Sequence, residues 1–223
     1  MHWLFRHTFR LMMIVLLLLV LAYPFLGQFP FAPVIYVFLV SGLFGTAFLA
    51  AFQQRRYWIT WTVLGIPVLA ATWLDLFVPN DLHRDLHGAL SLLMSCFLVF
   101  TILCIYRVIS RESEITTELI LAAFCGYILI GLVFAHLYGL MEYWHPGSFQ
   151  MVDSMAADLG ERHRRYFLMT YFSFTTLSTL GYGDILPKTD FARGFVLAEA
   201  VLGQFYLAVL IAELIGRKVG GNR

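Results

Sequence analysis

Charged side chains are scarce in this chain of 223 residues, because Asp, Glu, Lys and Arg together make up only 13% of it. Soluble domains carry ~25%. The shortage of charge, with 60% hydrophobic residues and a mean hydropathy of +0.78, excludes a disordered tail and an ordinary cytosolic enzyme. The formal net charge of +1 excludes the basic surface that nucleic acid requires. These shortages indicate a polytopic membrane protein.

Cysteine is also rare, and the three that occur form no motif. Cys96, Cys104 and Cys125 each lie in an apolar run, where cysteine usually behaves as a small hydrophobic side chain. The sequence has no C-x-x-C pair and no Cys/His cluster, so we expect neither a structural disulfide nor a zinc site. A small-residue cleavage site is missing after the first apolar run, which favours a spanning helix over a signal peptide.

Long apolar runs dominate what the sequence does contain. A spanning helix needs ~20 mostly apolar residues, and six runs approach this length: Thr8–Phe25, Phe31–Phe52, Tyr57–Phe77, Leu86–Tyr106, Glu118–Leu140 and Phe191–Ile215. A seventh run, Tyr166–Leu177, is too short to span and suits a re-entrant half-helix. We therefore predict an all-α membrane protein with six transmembrane helices and one re-entrant helix.

The polar segment Arg107–Thr117 predicts a boundary between two domains. The first, residues 1–110, holds the first four spans. The second, residues 111–223, holds the fifth span, a polar linker, the half-helix and the last span. The tail after Ile215 has only eight residues, so we expect no cytosolic ligand-binding domain.

The basic residues predict the orientation of the spans. If the N-terminus is cytoplasmic, nine of the fifteen Lys and Arg residues lie on the cytoplasmic side: Arg6, Arg10, Arg55, Arg56, Arg107, Arg111, Arg217, Lys218 and Arg223. We therefore predict a multi-pass protein of the plasma membrane, or of the inner membrane if the source is bacterial, with both termini in the cytoplasm.

Between the half-helix and the last span stands the segment Thr179-Leu180-Gly181-Tyr182-Gly183, followed by Asp184. Glycine reaches φ > 0 at little cost, so glycines at every second position let a strand alternate its backbone hand and turn successive carbonyls to one side. Rings of such carbonyls could replace the water around a dehydrated cation. G-Y-G alone could be a chance tight turn, but the full string at this place in a membrane protein is far more specific.

This string resembles the selectivity filter of the potassium-channel family, and the resemblance covers Glu118–Gly216. It implies a passive potassium-selective channel and no enzyme, with K⁺ as the permeant ion and no cofactor. The filter would consist of Thr179, Leu180, Gly181, Tyr182 and Gly183, and the carbonyls of the first four would bind K⁺. One chain supplies one filter strand and a filter needs four, so the resemblance also implies a homotetramer in membrane lipid.

The resemblance also predicts how the filter is supported. Alignment from the filter places a supporting aromatic residue of the half-helix at Tyr171, whose hydroxyl would donate to Asp184. A carboxylate that some family members carry one turn further along falls at Thr175 and is absent here.

Glu199 lies inside the last span, where a carboxylate is costly. We interpret it as a protonated or hydrogen-bonded support behind the filter, with direct contact to the ion as the alternative. Its expected partners are hydroxyls of the half-helix or a histidine of the fifth span: Ser173, Thr175, Thr176 or His136.

Glycines in the last two spans suggest bending or close packing. Gly203 follows Gly181 by 22 residues, the place where family members bend the last helix, although a packing glycine would look the same. Gln204 would then face a water-filled cavity. Gly131, Ala135 and Gly139 form a small-residue face on the fifth span that we expect to pack against the last span.

The fourth predicted span has no arginine at three-residue spacing, so we expect little voltage gating. Two other functions stay open. A potassium transporter would carry four filter-like loops in one chain, usually with single glycines. A non-conducting membrane sensor subunit would not need an intact filter.

Overall fold

Helices dominate the fold because a membrane offers the backbone no water, so each segment must satisfy its own N–H and C=O groups. The computed structural model describes residues 7–22, 25, 29, 31–52, 57–74, 76–77, 84–111, 116–151 and 162–220. Within these ranges the helices are α1 (Thr8–Leu21), α2 (Ala32–Phe52), α3 (Trp58–Leu74), α4 (Arg84–Arg111), α5 (Thr117–Trp144), α6 (Arg162–Leu177) and α7 (Asp190–Gly220).

Four helices of the described chain are long and apolar enough to cross a membrane, in the segments Ala32–Phe52, Leu90–Arg111, Thr117–Trp144 and Asp190–Leu210. The helices α1 and α3 are apolar but have 14 and 17 residues. At 1.5 Å per residue such helices are shorter than the ~30 Å hydrocarbon core. The protein is thus a mainly helical membrane protein, and the crossing of all six predicted spans stays a prediction.

Several helices extend beyond their predicted bounds: α5 continues to Trp144 and α7 to Gly220. The half-helix α6 begins at Arg162 and not at Tyr166, and α4 continues past Tyr106 to Arg111. The prediction ended each span where apolar residues ended, whereas a helix can continue into polar sequence beyond the membrane. The predicted break at Arg107–Thr117 is therefore narrower, and its residues 112–115 lie outside the described ranges. Thr116 caps α5, since its side chain accepts from Leu119 N at 3.2 Å.

Beside the helices, the described chain contains one short two-stranded sheet. Strand β1 (Phe149–Met151) pairs antiparallel with strand β2 (Ile185–Pro187), with Gln150 opposite Leu186. Lys188 N extends the pairing by donating to Ser148 O at 2.8 Å. Strands of three residues are too short to show an alternating pattern, so hydropathy could not predict them.

The main core crosses the predicted domain boundary. Buried side chains of α1 to α5 form one cluster, in which the rings of Phe44 and Phe97 stack at 4.1 Å. Arg10 of α1 pairs with Glu118 of α5 at 2.6 Å. A second cluster includes Tyr138, Phe149, Phe172 and Ile185, and it lies where α5, α6 and the two strands meet.

Candidate functional site

The backbone of Thr179–Gly183 alternates its hand at every second residue. Positive φ angles occur at Thr179 (60°), Gly181 (53°) and Gly183 (78°). The two glycines were expected there, but Thr179 was not, because a β-branched residue rarely adopts this conformation. Thr179 is the only non-glycine residue with positive φ in the described chain. Thr179 stands two residues before Gly181, as Gly181 stands two residues before Gly183, and this spacing could have predicted its positive φ.

The start of this strand is tied to the carboxyl end of α6. The carbonyl oxygen of Thr175 accepts hydrogen bonds from the amide of Leu180 at 2.8 Å and from the amide of Gly181 at 3.1 Å. The amide of Thr179 donates to Thr176 O at 2.9 Å. The last carbonyls of a helix have no partner within the helix, so the strand uses them and keeps its own carbonyls for other partners. Thr175 therefore contacts the filter through its backbone, while its hydroxyl donates to Phe172 O at 2.9 Å.

The end of the strand is tied to the middle of α6. The hydroxyl of Tyr171 donates to Asp184 Oδ2 at 2.6 Å, and the other carboxylate oxygen accepts from Ile185 N at 3.0 Å. The ring of Tyr171 lies parallel to that of Tyr182, with centroids 6.5 Å apart. Burial and the hydrogen bond to Asp184 raise the pKa of Tyr171, which lies outside the spanning helices, to about 12. The phenol therefore stays a donor at neutral pH.

Behind the strand lies a cluster of buried oxygen atoms from three helices. Tyr138 of α5 donates to Glu199 Oε2 at 2.6 Å, and Ser173 of α6 is hydrogen-bonded to Glu199 Oε1. Ser173 Oγ also lies 2.7 Å from the carbonyl oxygen of Gly131. Glu199, Ser173 and Tyr138 are each 0% exposed. The cluster joins α5, α6 and α7 at the level of the half-helix.

The expected partners of Glu199 were right for Ser173 only. Thr175 bonds Phe172 instead, and His136 places Nδ1 2.8 Å from Leu132 O of its own helix and 3.5 Å from the Tyr166 hydroxyl. None of the contacts recorded for the described residues joins Thr176 to Glu199. The sequence did not identify Tyr138 as a partner of Glu199, because an aromatic residue in an apolar span is usually a buried packing residue. Its position seven residues after Gly131, on the same helix face, was the available signal.

Two glycines permit close packing around α6. A Cβ on Gly203 would lie 2.7 Å from Leu177 Cδ1 and 2.9 Å from Leu177 O. A Cβ on Gly131 would lie 2.9 Å from the ring of Phe174. The prediction that the Gly131 face packs against the last span was wrong for Gly131, which faces the half-helix. A Cβ on Gly139 would meet nothing within 4 Å.

Leu177, the last residue of α6, receives a further contact from the spanning helices. Tyr127 of α5 donates to Leu177 O at 3.1 Å, and the ring of Tyr127 packs on that of Tyr206 of α7. The next residue after Gly203, Gln204, is exposed in the single chain. The carboxyl end of α6 is thus held by both neighbouring helices.

Comparisons with known proteins agree on one class. A family model described as "Ion channel" matches residues 122–217, which include α6, the filter segment and most of α5 and α7. The chain is 39% identical over 57 residues to the voltage-gated potassium channel Kch of Escherichia coli (strain K12), and 32% identical over 82 residues to the potassium channel protein kcv of Paramecium bursaria Chlorella virus 1. The class is that of ion channels and not of enzymes.

The coverage of these relatives differs widely. The match spans 25% of this chain and 14% of Kch, but 37% of this chain and 85% of kcv. Since the match includes most of kcv, the shared part is close to a complete protein in that relative. The chain belongs to the potassium-channel family.

Proposed function

We propose that the protein conducts K⁺ passively and selectively through a pore formed by four identical chains. The alternation of positive φ at Thr179, Gly181 and Gly183 is the observation that supports this most strongly. A strand with this alternation can present the carbonyls of Thr179, Leu180, Gly181 and Tyr182 to one axis. Four such strands would surround dehydrated K⁺ with rings of oxygen atoms.

The electrostatics of α6 suit a cation. A helix carries partial negative charge at its carboxyl end, and α6 ends at Leu177, next to the filter segment. The amides of Leu180 and Gly181 hold that end in place. The helix therefore directs its dipole toward the start of the filter, where it would lower the cost of removing water from the ion.

The exposure of the filter segment supports the tetramer. Backbone at membrane depth without regular structure is tolerated only where protein buries it or where it lines a water-filled cavity. In the single chain Leu180 is 55% and Tyr182 is 67% exposed. Apolar side chains of α7, the helix that follows the segment, are also exposed, among them Leu197, Val201 and Phe205. Three further copies around a common axis would cover both surfaces, and lipid would cover the outer helices.

We further propose the arrangement in the membrane. The second domain, residues 111–223, forms the pore, and residues 1–110 form four spans around it. Both termini face the cytoplasm of a plasma membrane, or of a bacterial inner membrane, since most basic residues then lie inside. Next to Gly203, the side chain of Gln204 would face a water-filled cavity of the pore. The close contact of Gly203 with Leu177 favours a packing role for this glycine over a role as a free hinge.

Voltage is not the proposed stimulus for opening. Between Leu90 and Tyr106 the helix α4 contains no Lys or Arg, and a sensor needs several charges within the field. Arg107 lies at the cytoplasmic end and stacks over the ring of Tyr57 at 4.9 Å. One arginine held in this way would carry too little charge through the membrane.

A flux assay distinguishes the channel from the two alternatives. Purified protein in liposomes loaded with K⁺ and diluted into Na⁺ should release K⁺ down its gradient when a protonophore balances the charge. A transporter would require a coupling ion or a slow turnover, and a sensor subunit would give no flux. Release that is absent, or equal for K⁺ and Na⁺, would contradict the proposal.

A further inference from the structure

The oxygen cluster behind the filter contains more O···O contacts than its hydroxyl groups have protons to donate. Three O···O contacts within hydrogen-bond distance connect four groups: Tyr138 Oη with Glu199 Oε2, Glu199 Oε1 with Ser173 Oγ, and Ser173 Oγ with Gly131 O. Each contact needs one proton between its two oxygen atoms. Carbonyl and carboxylate oxygens accept only, and each hydroxyl donates one proton.

Two hydroxyl protons are available for three contacts. The Tyr138 proton serves Glu199 Oε2, and Ser173 can serve either Gly131 or Glu199. With an ionised Glu199, one pair of oxygen atoms would face each other without a proton in a buried site. A proton on Glu199 Oε1 completes the set: it donates to Ser173, which donates to the Gly131 carbonyl.

The surroundings of the Glu199 carboxyl group also favour its protonated, uncharged form. An ionised carboxylate without a cation is costly to bury. The salt bridges recorded among the described residues pair other acids, Glu118 with Arg10 and Asp190 with Arg193, and none of them includes Glu199. Its two recorded partners are the uncharged hydroxyls of Tyr138 and Ser173.

We infer that Glu199 is uncharged and positions α6 by donating a hydrogen bond to Ser173. The effect of Glu199 on the filter rests on the proposed channel function, whereas its protonation state does not. Ser173 stands two residues before Thr175, whose carbonyl holds the filter amides, and two residues after Tyr171, which holds Asp184. Glu199 is thus a positioning residue that fixes the half-helix between the two attachments of the filter.

A neutral acid and a carboxylate respond differently to substitution. In Glu199→Gln, the amide N–H₂ can donate to Ser173 and the amide oxygen can accept from Tyr138, so the network stays complete. Glu199→Asp keeps an ionisable group but is shorter by one methylene and cannot reach both partners. Glu199→Ala removes both bonds and leaves Tyr138 and Ser173 buried without them.

Two measurements on the reconstituted full chain test this. In single-channel recordings, Glu199→Gln should keep the mean open time within about twofold of wild type. Glu199→Asp and Glu199→Ala should shorten it by at least about fivefold, the effect of one lost buried hydrogen bond. A glutamine variant as impaired as the alanine variant would overturn the inference.

The second measurement does not depend on conduction. The infrared spectrum of wild type minus Glu199→Gln, in lipid at neutral pH, should contain the carbonyl band of a protonated carboxylic acid that shifts with ¹³C-labelled glutamate. A carboxylate band in its place would overturn the inference, even if the alanine variant fails to fold. A protein that shows the acid band but no K⁺ current would contradict the proposed function and leave the protonation state supported.

Discussion

The Tyr171 hydroxyl lies 2.6 Å from Asp184 Oδ2 and donates a hydrogen bond to it, which links the middle of the half-helix to the residue directly after the filter. Hydrogen bonds to charged acceptors contribute ~1.5–3 kcal/mol. We expect Tyr171→Phe to destabilise the conducting filter and lengthen the closed, inactivated periods of single-channel records. Tetramers should still form, since the tyrosine ring and its packing are retained.

Tyr106→Phe is the matched control for this substitution, because Tyr106 is 63% exposed on α4. It should leave the closure rate unchanged. If channels with Tyr171→Phe and channels with Asp184→Asn both closed at the wild-type rate, the hydrogen bond would have no effect on the filter. Asp184 would then be a solvated side chain at the outer mouth.

Gly181→Ala should abolish the preference for K⁺ over Na⁺. Gly181 has φ +53°, and a methyl group at this angle disfavours the conformation that turns the carbonyls. The measurement is the reversal potential in mixed K⁺ and Na⁺ solutions. Gly45→Ala is the control, since a Cβ there meets nothing within 4 Å. An unchanged reversal potential in Gly181→Ala would contradict the role given to this backbone.

Gly203→Ala separates packing from hinge bending by the sign of its effect on stability. An added Cβ would press against Leu177 at 2.7 Å and 2.9 Å, and overpacking costs ~1–3 kcal/mol. The protein should therefore melt at a lower temperature. A glycine that served only as a hinge would be replaced by a better helix former, which stabilises the helix by ~0.5–1 kcal/mol. Gly194→Ala on the same helix, with nothing within 4 Å of its Cβ, should not lower the melting temperature.

Open probability should depend little on voltage. The test range runs from about −100 to +100 mV, which brackets the ~−40 to −90 mV of resting membranes. Arg107 is the first basic residue after the apolar stretch Leu90–Tyr106 of α4, and it stacks over Tyr57. A steep voltage dependence that disappears in Arg107→Gln would contradict the proposal that this chain has no working voltage sensor.

Hydropathy and one motif predicted much of this protein, for physical reasons. Membrane helices satisfy their own backbone, so runs such as Phe31–Phe52 correspond to helices almost residue for residue. The motif Thr179–Gly183 placed the glycines with positive φ, because their need for left-handed backbone is local. The contact between Tyr171 and Asp184 followed from the resemblance, and its effect on the filter stays a prediction.

Long-range contacts escaped prediction because they depend on how helices meet. Tyr138 reaches Glu199 across 61 residues of sequence, and nothing local to Tyr138 indicates a polar partner. The pairing of β1 with β2 joins segments on either side of the half-helix. Thr179 adopts positive φ because Thr175 and Thr176 hold the amides around it, a constraint imposed by α6 and opposed by the residue's own preference.

We propose that four Thr179–Gly183 strands together form a filter selective for K⁺. The most direct measurement is the reversal potential of the purified protein in planar bilayers, with K⁺ on one side and Na⁺ on the other. We expect a reversal potential close to that of a membrane permeable to K⁺ alone, and we expect Gly181→Ala to move it toward zero. A wild-type current that reverses near zero would contradict it.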